Sequence, residues 1–308
     1  MRDYQQETIS RIKTLCRERD AVILAHNYQP EVIQGIADFV GDSLELSVKA
    51  AQLKEKVLVF CGVRFMAETA KILSPGRTVL LPRAEAGCPM ADMADATALR
   101  AIKDAHPEAV AICYVNSTAE VKAECDICCT SANAAKMVGL VPPDREIVFL
   151  PDKNLGANVE KQTGRKMMLW PGFCPTHMRI VPETILQRKA EYPDAVVIVH
   201  PECSPAVTAL ADQVLSTGGM LRFARECPAS RVVVGTEIGL IHRLRKENPG
   251  KEFIAATSNA VCMNMKMISL HDVLNALENN ETEIVIPEAV RAKAEKPIIR
   301  MIEGKFDL

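Results

Sequence analysis

Val22-Ile-Leu-Ala-His26, Val110-Ala-Ile-Cys-Tyr114 and Val196-Val-Ile-Val-His200 are three copies of one pattern, a short apolar run that ends at a His or a Tyr. Their last residues lie 88 and then 86 positions apart. Short runs without polar alternation are typical of strands that are buried on both faces of a parallel sheet. The period is too long for the common solenoid repeats, and it matches a small α/β domain made three times.

Further features recur at the same period. A second apolar run ends at Phe60, Leu150 and Val234, and a third occupies residues 78–81, 166–169 and 253–256. Short strands are also predicted at 38–40, 126–129 and 213–215, and helices at stretches such as 44–52 and 132–138. Alternating strands and helices favour right-handed βαβ crossovers. The sequence therefore predicts an α/β fold: three similar αβα sandwich units with short parallel sheets, in a pseudo-threefold arrangement around a central active site.

The boundaries between the units are predicted from segments that break helices. His106-Pro-Glu108 and Tyr192-Pro-Asp194 are segments of this kind. The predicted units span residues 1–104, 105–190 and 191–286, without a low-complexity linker between them. We expect the charged, helical C-terminal segment, residues 287–308, to pack on the first unit.

The composition is that of a globular enzyme. Apolar residues make up 48% of the 308 residues, and no run approaches the roughly 18 uncharged residues that a membrane span needs. The formal net charge of −2, with both signs interspersed, gives no basic surface for nucleic acid. The N-terminus lacks the apolar core of a secretory signal, and the odd count of 11 cysteines argues against a disulfide framework. We therefore expect a cytoplasmic protein with metal or redox chemistry.

Three of the cysteines follow the repeat. Cys88, Cys174 and Cys262 lie 86 and then 88 residues apart, five to seven residues after the third apolar run of each unit. Three like units around one axis would bring these thiols together. Iron–sulfur clusters are usually held by four thiolates, so three would leave one iron free to act as a Lewis acid. A zinc ion held by three cysteines and a water is the less favoured alternative.

Polar residues end the first strand of each unit, at the place where ligands bind in open α/β sheets. They occur in pairs at i and i+2, so both side chains of a pair lie on one face of the extended chain. The six residues are His26 and Tyr28, Tyr114 and Asn116, and His200 and Glu202. If the units converge, this set supplies proton donors, proton acceptors and hydrogen-bonding anchors to one cavity.

A small hydroxyl residue begins a helix in each unit: Ser43, Ser131 and Thr217. We expect these residues to be N-caps, whose side chains accept hydrogen bonds from the next turn. A helix N-terminus also presents free N–H groups to an anion. Three of them around one axis predict a site for a ligand with several carboxylates or phosphates.

Another group of cysteines, Cys125-Asp-Ile-Cys-Cys129, contains a CxxC, which suggests zinc or a redox site. The repeat, however, aligns Cys128 and Cys129 with strand residues of the other two units, and buried thiols behave as small apolar side chains. We therefore interpret these cysteines as structural. A non-enzymatic metal-binding module built on Cys125, Cys128 and Cys129 is the alternative, and Cys203 has no assigned role.

Several segments resemble the quinolinate synthase family (quinolinate synthase A), in the family's order and across nearly the whole chain. They are Ala25-His-Asn-Tyr-Gln-Pro-Glu-Val32, Gly41-Asp-Ser-Leu44, Tyr114-Val-Asn-Ser117, Pro151-Asp-Lys-Asn-Leu-Gly156, His200-Pro-Glu-Cys203 and Cys262-Met-Asn-Met-Lys266. The resemblance implies an enzyme of de novo NAD biosynthesis with a [4Fe-4S] cluster. The family condenses iminoaspartate with dihydroxyacetone phosphate to give quinolinate, phosphate and water. A functional link to an L-aspartate oxidase is also implied.

The resemblance assigns roles to individual residues. Cys88, Cys174 and Cys262 match the cluster ligands. The positions that contact iminoaspartate or later intermediates are matched by His26, Ser43, Tyr114, Asn116, Ser131, His200, Glu202 and Thr217. Glu202 beside His200 is our choice of main proton carrier, with Tyr114 and His26 assisting and Tyr28 lining the reacting centre. The alternative is another three-cysteine [4Fe-4S] enzyme of similar architecture, such as a reductase of isoprenoid intermediates or a diphthamide-forming enzyme.

Overall fold

The computed structural model describes residues 2–306, in which the first repeat forms a four-stranded parallel sheet flanked by helices. Its elements are α1 (Arg2–Arg19), β1 (Ala21–His26), α2 (Glu31–Ile36), β2 (Phe39–Gly41), α3 (Ser43–Gln52), β3 (Val57–Cys61), α4 (Arg64–Leu73) and β4 (Thr78–Leu80). The strands lie in the order β2-β1-β3-β4. All neighbouring strands are parallel, so their carboxyl ends meet at one edge of the sheet.

The second and third repeats form sheets of the same kind. The second contains α5 (Ala96–Ala105), β5 (Val110–Tyr114), α6 (Ala119–Ala123), β6 (Ile127–Cys129), α7 (Ala134–Gly139), β7 (Ile147–Leu150), α8 (Lys153–Thr163) and β8 (Met168–Leu169). The third contains α9 (Pro182–Glu191), β9 (Val196–Val199), α10 (Pro205–Thr208), β10 (Gln213–Val214), α11 (Thr217–Glu226), β11 (Arg231–Gly235), α12 (Gly239–Glu247) and β12 (Glu252–Ala255). The orders β6-β5-β7-β8 and β10-β9-β11-β12 repeat that of the first sheet. The predicted α/β fold of three similar units is confirmed.

The strands form where the apolar runs predicted them, because these runs are buried on both faces. Every residue of β3, β5 and β7 is buried. Valine, isoleucine and phenylalanine suit such positions, since branched and aromatic side chains pack well on a pleated surface. Parallel neighbours cannot be joined by a tight turn, so helices must connect them.

The helix starts differ from the sequence prediction at the three hydroxyl residues. Ser43 and Thr217 are the first residues of α3 and α11, and the caps are the preceding Asp42 and Ser216, whose side chains accept backbone N–H groups. Ser131 lies in the turn before α7. The expectation that these residues are N-caps was wrong: the preceding Asp42 and Ser216 cap α3 and α11, and the cap residue of α7 is Asn133, whose side chain makes no capping hydrogen bond.

A short 3₁₀ turn follows the fourth strand of each unit. The turns are Ala91–Met93, His177–Arg179 and Asn264–Lys266. Each begins two or three residues after one of the repeated cysteines, Cys88, Cys174 and Cys262. The three cysteines therefore occupy equivalent places in the fold.

Two helices follow the third sheet and return to the other units. Helix α13 (Leu270–Asn279) packs against α1 and β3 of the first unit, although residues 191–286 were predicted as one unit. Helix α14 (Glu288–Glu303) contacts mainly α6 and β6 of the second unit, and to a smaller extent α4 of the first, where the sequence predicted it to pack. Its apolar residues Ile298 and Met301 are buried, and Arg300 donates to the carbonyl of Asp126 at 2.7 Å. Residues 1, 307 and 308 of the predicted units lie outside the described residues.

Within residues 2–306, no helix has both the length and the apolar character that crossing a membrane requires.

Candidate active site

Residues from all three units line one cavity. All twelve residues that the sequence analysis proposed for the site line it: His26, Tyr28, Ser43, Cys88, Tyr114, Asn116, Ser131, Cys174, His200, Glu202, Thr217 and Cys262. Apolar side chains complete the wall, namely Val63, Phe65, Met66, Met90 and Met265. The structure therefore brings the repeated polar residues and the repeated cysteines together.

The two histidines that follow the apolar runs are buried and held by their own turns. The backbone N–H of Tyr28 donates to His26 Nδ1 at 3.1 Å, and that of Glu202 donates to His200 Nδ1 at 3.4 Å. A neutral imidazole that accepts at Nδ1 carries its proton on Nε2. Burial lowers the pKa of His26 and of His200 to about 3, so both rings are neutral at physiological pH. Each ring can donate one hydrogen bond to a ligand through Nε2.

Glu202 has several polar partners, although only 4% of its surface is exposed. The Tyr114 hydroxyl donates to Oε1 at 2.5 Å, and His177 Nδ1 lies 2.7 Å from Oε2. The Asn154 side chain donates to the backbone carbonyl of Glu202 at 3.2 Å. Burial alone would raise the pKa of Glu202, but His177, His200 and the Tyr114 hydroxyl together hold it below its usual value. The carboxylate is therefore ionised and able to accept a proton.

His177 was not predicted from the sequence, and it connects the polar residues of the cavity. Its ring stacks on that of His200, with 4.7 Å between the ring centroids. Its Nε2 lies 2.9 Å from Thr236 Oγ1, which in turn lies 2.6 Å from the Tyr28 hydroxyl. A continuous chain of hydrogen-bonding groups thus runs from the Glu202 carboxylate to the Tyr28 hydroxyl.

The three repeated cysteines contribute their sulfurs from three different units. Each sulfur accepts hydrogen bonds from the turn that follows it: Cys88 from the N–H of Ala91, Cys174 from that of His177, and Cys262 from that of Met265. Burial raises the pKa of all three thiols, that of Cys88 to about 12. None of them forms a disulfide. The ligand atoms of Cys174, His177 and Glu202 all lie within 4.8 Å of one another, which makes this group a possible metal site.

The hydroxyl residues at the helix starts line the same cavity. Because neighbouring residues occupy the cap positions, the hydroxyls of Ser43 and Thr217 do not cap their own helices. Helix N-termini carry N–H groups that favour anions, and these hydroxyls add further donors. Asn116 Oδ1 is buried and has no hydrogen-bond partner among residues 2–306, so it is an acceptor that a ligand would satisfy.

Glu237 is another buried carboxylate of the cavity, and it was not predicted from the sequence. Its Oε1 accepts the backbone N–H of Cys262 at 3.2 Å, and Lys266 Nζ lies 3.0 Å from the same carboxylate. Lys266 also donates to the backbone carbonyl of Tyr28. These contacts tie the loop that carries Cys262 to the first unit.

The repeat does not predict His177 and Glu237, because neither residue has a counterpart of the same kind in all three units. At the position of His177 the other units have Ala91 and Met265, which are apolar. The position of His177, three residues after Cys174 and at the start of the following 3₁₀ turn, was the available signal, and in the structure its Nδ1 lies 3.1 Å from the Cys174 sulfur.

The remaining cysteines do not line the cavity. Cys128 and Cys129 are consecutive residues of β6, so their side chains point to opposite faces of the sheet. This geometry argues against a metal-binding module that uses both together with Cys125. Cys203, to which the sequence gave no role, is buried in an apolar cluster of the third unit.

Comparison with known proteins identifies the family. Residues 10–303 match the family model described as quinolinate synthetase A protein. The chain is 55% identical to the quinolinate synthase of Dehalococcoides mccartyi over 299 residues, which are 97% of this chain and 99% of that protein. The quinolinate synthases of Geobacter metallireducens (52% identity, 97% and 98% covered) and Desulforudis audaxviator (50%, 97% and 99%) are also similar. Matched over nearly its whole length, this chain belongs to the quinolinate synthetase A protein family.

Proposed function

We propose that this protein is a quinolinate synthase that condenses iminoaspartate with dihydroxyacetone phosphate to quinolinate, phosphate and water. The observation that carries the proposal is a single cavity that combines three thiols, a buried ionised carboxylate and hydroxyls at helix N-termini. Relatives of 50–55% identity that are named quinolinate synthase support it. In this proposal the enzyme acts in the cytoplasm, in NAD biosynthesis, and an L-aspartate oxidase supplies iminoaspartate.

The proposed cofactor is a [4Fe-4S] cluster held by Cys88, Cys174 and Cys262. The residues fit this group, because the cysteines occupy equivalent places, form no disulfide, and accept N–H groups at their sulfurs. Hydrogen bonds to the ligand sulfurs are a usual means of tuning such clusters. When bound, the cluster supplies a Lewis-acidic iron that polarises a substrate oxygen. Zinc fits less well, since structural zinc sites draw their thiolates from closely spaced pairs.

The polar wall of the cavity holds the substrate in this proposal. The carboxylates of iminoaspartate bind at the N–H groups and hydroxyls around Ser43, Ser131 and Thr217. Asn116 Oδ1 accepts a hydrogen bond from the substrate, and His26 donates one through Nε2. Groups from three units that fix one ligand lower the entropic cost of reaching the reactive geometry.

Glu202 is the proposed general base and acid. Its ionised carboxylate accepts a proton from the substrate, and the Tyr114 hydroxyl at 2.5 Å stabilises the charge between transfers. His177 and Thr236 extend the chain of hydrogen bonds from Glu202 to the Tyr28 hydroxyl, and protons can be relayed along it. Condensation, ring closure and dehydration each move protons, and a positioned relay of this kind accelerates such steps by about 10²–10⁴-fold.

The proposal is tested with the full chain, reconstituted with iron and sulfide without oxygen. We expect about four iron and four sulfide per chain, as a [4Fe-4S] cluster requires. Iminoaspartate and dihydroxyacetone phosphate together should yield quinolinate and phosphate in equal amounts, measured by chromatography and a phosphate assay. Neither substrate alone should give quinolinate.

Two outcomes contradict the proposal. A fully loaded protein that forms no quinolinate from both substrates excludes the activity. Reduction of an isoprenoid diphosphate by the same preparation would favour the alternative three-cysteine enzyme.

A further inference from the structure

Arg243 lies on α12 of the third unit, behind the wall of the cavity, and its side chain reaches across to the first unit. Its Nη1 donates to Asn27 Oδ1 at 2.7 Å and to the backbone carbonyl of Val40 at 2.9 Å. Its Nε donates to Glu247 Oε1 on the same helix at 2.7 Å, which holds the guanidinium from the other side. The proposed reaction gives neither Arg243 nor Asn27 a role.

The contact with Arg243 fixes the orientation of the Asn27 side-chain amide. A guanidinium only donates hydrogen bonds, so the Asn27 atom that faces it must be the carbonyl oxygen. The amide nitrogen then faces Thr217 and donates to its Oγ1 at 3.1 Å. Asn27 has no exposed surface, so the amide cannot exchange these bonds for bonds to water. Turning the amide over would place its N–H groups against the guanidinium and lose both contacts.

This orientation leaves the Thr217 hydroxyl with a hydrogen to donate. A hydroxyl accepts through its lone pairs and donates through its one hydrogen, and Asn27 occupies a lone pair. Across residues 2–306, no acceptor receives the hydrogen of this hydroxyl, although Thr217 is only 3% exposed. Thr217 is the first residue of α11 and lines the cavity. Buried polar groups are normally paired, so a ligand is expected to accept this hydrogen.

We propose that Arg243 and Asn27 are positioning residues, which make the Thr217 hydroxyl a hydrogen-bond donor to a carboxylate of the substrate. The inference rests on the proposed function, in which the substrate with carboxylates is iminoaspartate. Arg243 donates to Asn27, Asn27 donates to Thr217, and Thr217 donates to the substrate. Hydrogen bonds that run in one direction polarise one another, and the last of them, to an ionised oxygen, is the strongest kind.

The direction of these bonds also determines which ligand group the position accepts. An ionised carboxylate accepts hydrogen bonds and cannot donate them, so it requires a donor from the protein. If the hydroxyl were turned around, its lone pairs would face the carboxylate and repel it. Because Arg243 fixes the direction before the substrate arrives, no reorganisation is needed when it binds.

Asn27→Asp reverses the last bond within the protein with almost no change of shape. The new carboxylate still accepts from Arg243, but its other oxygen accepts the hydrogen of the Thr217 hydroxyl, which then points away from the substrate. Loss of a hydrogen bond to a charged group weakens binding by about 10–100-fold, so we expect the Kd for quinolinate to rise by that factor. Quinolinate is a suitable probe, since dihydroxyacetone phosphate has no carboxylate and both must come from iminoaspartate.

The measurement is calorimetry of quinolinate binding to the reconstituted full chain without oxygen. Iron analysis should show the same loading in every variant, and circular dichroism and the unfolding midpoint establish that each variant is folded. The KM for iminoaspartate should rise together with the Kd. The KM for dihydroxyacetone phosphate should not change.

A double-mutant cycle separates the hydrogen bond from the charge that Asn27→Asp adds. Thr217→Val removes the hydroxyl and keeps the shape of the side chain. In that background Asn27→Asp should raise the Kd by a factor at least about threefold smaller than in the parent chain, because groups in one hydrogen-bond network are coupled. Charge repulsion or a general loss of structure would act equally in both backgrounds.

Variants of Arg243 test the first bond of the chain. Arg243→Met should raise the Kd for quinolinate by about three- to tenfold, the equivalent of one ordinary hydrogen bond. Arg243→Lys keeps the charge and a donor, and it should restore part of the affinity. Arg225→Met is the matched control, because Arg225 is an exposed arginine that pairs with Glu247, as Arg243 does. It should leave the Kd unchanged.

Several results would overturn the inference. They are an unchanged Kd in folded Asn27→Asp or Arg243→Met, and an equal effect of Asn27→Asp in both backgrounds. A rise in the KM for dihydroxyacetone phosphate instead of iminoaspartate would place the phosphate at Thr217, and a loaded parent chain that does not bind quinolinate would leave the hydroxyl without its ligand. If Asn27→Asp does not fold, the two variants of the partly exposed Arg243 decide the outcome.

The condensation assay keeps this inference separate from the proposed function. A parent chain that forms quinolinate, together with an Asn27→Asp variant that binds it equally well, would contradict the inference alone. A parent chain that forms no quinolinate but binds it, with weaker binding in Asn27→Asp, would contradict the proposed function and support the role of Arg243 and Asn27.

Discussion

At the scale of single residues, one position of the fold carries a histidine in two units and a tyrosine in the other. His26, Tyr114 and His200 occupy equivalent places at the end of the first strand. All three side chains are buried and line one cavity, so the repeated position brings a polar side chain from each unit to the same site. The Tyr114 hydroxyl of the second unit donates a hydrogen bond to the Glu202 carboxylate of the third unit, so this carboxylate links the two units.

The first prediction concerns Glu202. Glu202→Gln keeps the shape of the side chain but removes the charge that accepts protons. We expect kcat to fall by about 10²–10⁴-fold, the usual contribution of a general acid–base residue. Quinolinate formation under saturating substrates measures this fall, and visible absorbance should show an unchanged cluster.

Glu183→Gln is the matched control, since this glutamate is exposed on α9. It should leave kcat unchanged. Full activity of Glu202→Gln with an intact cluster would remove Glu202 from the mechanism.

The second prediction concerns pH. The pKa of His26 and of His200 is about 3 in the folded protein, compared with 6.5 for an ordinary histidine. Below pH 6.5 the unfolded chain therefore binds protons that the folded chain does not. The contribution of these two neutral histidines to the free energy of unfolding is therefore complete above pH 6.5, and it is lost as the pH falls toward 3. Each histidine should lower the free energy of unfolding by up to about 1.4 kcal/mol per pH unit in that window.

Urea denaturation between pH 7 and pH 5 measures this slope. His200→Asn should flatten it, because one of the two rings with a lowered pKa is removed. His271→Asn should not, because His271 is exposed. Equal slopes in the two variants would contradict the assignment of His200 as a buried neutral histidine.

At the scale of elements, the strands could be predicted and the helix contacts could not. Residues buried on both faces of a sheet give an unbroken apolar run, and this signal is local in the sequence. Helices α13 and α14 have ordinary amphipathic sequences, which do not indicate which unit they cover. The cap positions were misplaced by one residue at α3 and α11, because two adjacent polar residues compete for the same role.

The third prediction concerns the contact between α3 and α11. The N–H of Gly218 donates to Asp42, and a Cβ at this glycine would lie 2.6 Å from Asp42 Oδ2. Gly218→Ala should therefore displace the Asp42 carboxylate. Overpacking costs about 1–3 kcal/mol, which exceeds the roughly 1 kcal/mol that alanine gains over glycine in a helix. We expect a net loss of stability in urea denaturation, and lower activity because Asp42 and Thr217 line the cavity.

Gly250→Ala is the matched control, because nothing lies within 4 Å of a Cβ built there. Its unfolding midpoint and activity should stay close to those of the parent chain. A Gly218→Ala variant as stable and as active as Gly250→Ala would contradict the close contact between α3 and α11.

At the scale of the whole molecule, the site exists only where the three units meet. Asn27 of the first unit donates to Thr217 of the third, and Asn154 of the second holds Glu202 of the third. Lys266 ties the Cys262 loop back to the first unit. The repeat predicted this convergence, because equal spacing implies equivalent places. It could not predict residues such as His177, because the equivalent residues of the other two units, Ala91 and Met265, are apolar.

The last prediction tests the convergence directly. Cys88, Cys174 and Cys262 come from three units, and no two of them are close in sequence. Cys88→Ala, Cys174→Ala and Cys262→Ala should therefore each abolish the visible absorbance, the bound iron and quinolinate formation together, since two thiolates do not hold a cluster of this kind. Cys128→Ser should keep iron and activity, because Cys128 is buried in β6 outside the cavity. Iron analysis of the four variants shows which cysteines hold the cofactor. A Cys174→Ala chain that retains its iron, or a Cys128→Ser chain that loses it, would place the cofactor elsewhere.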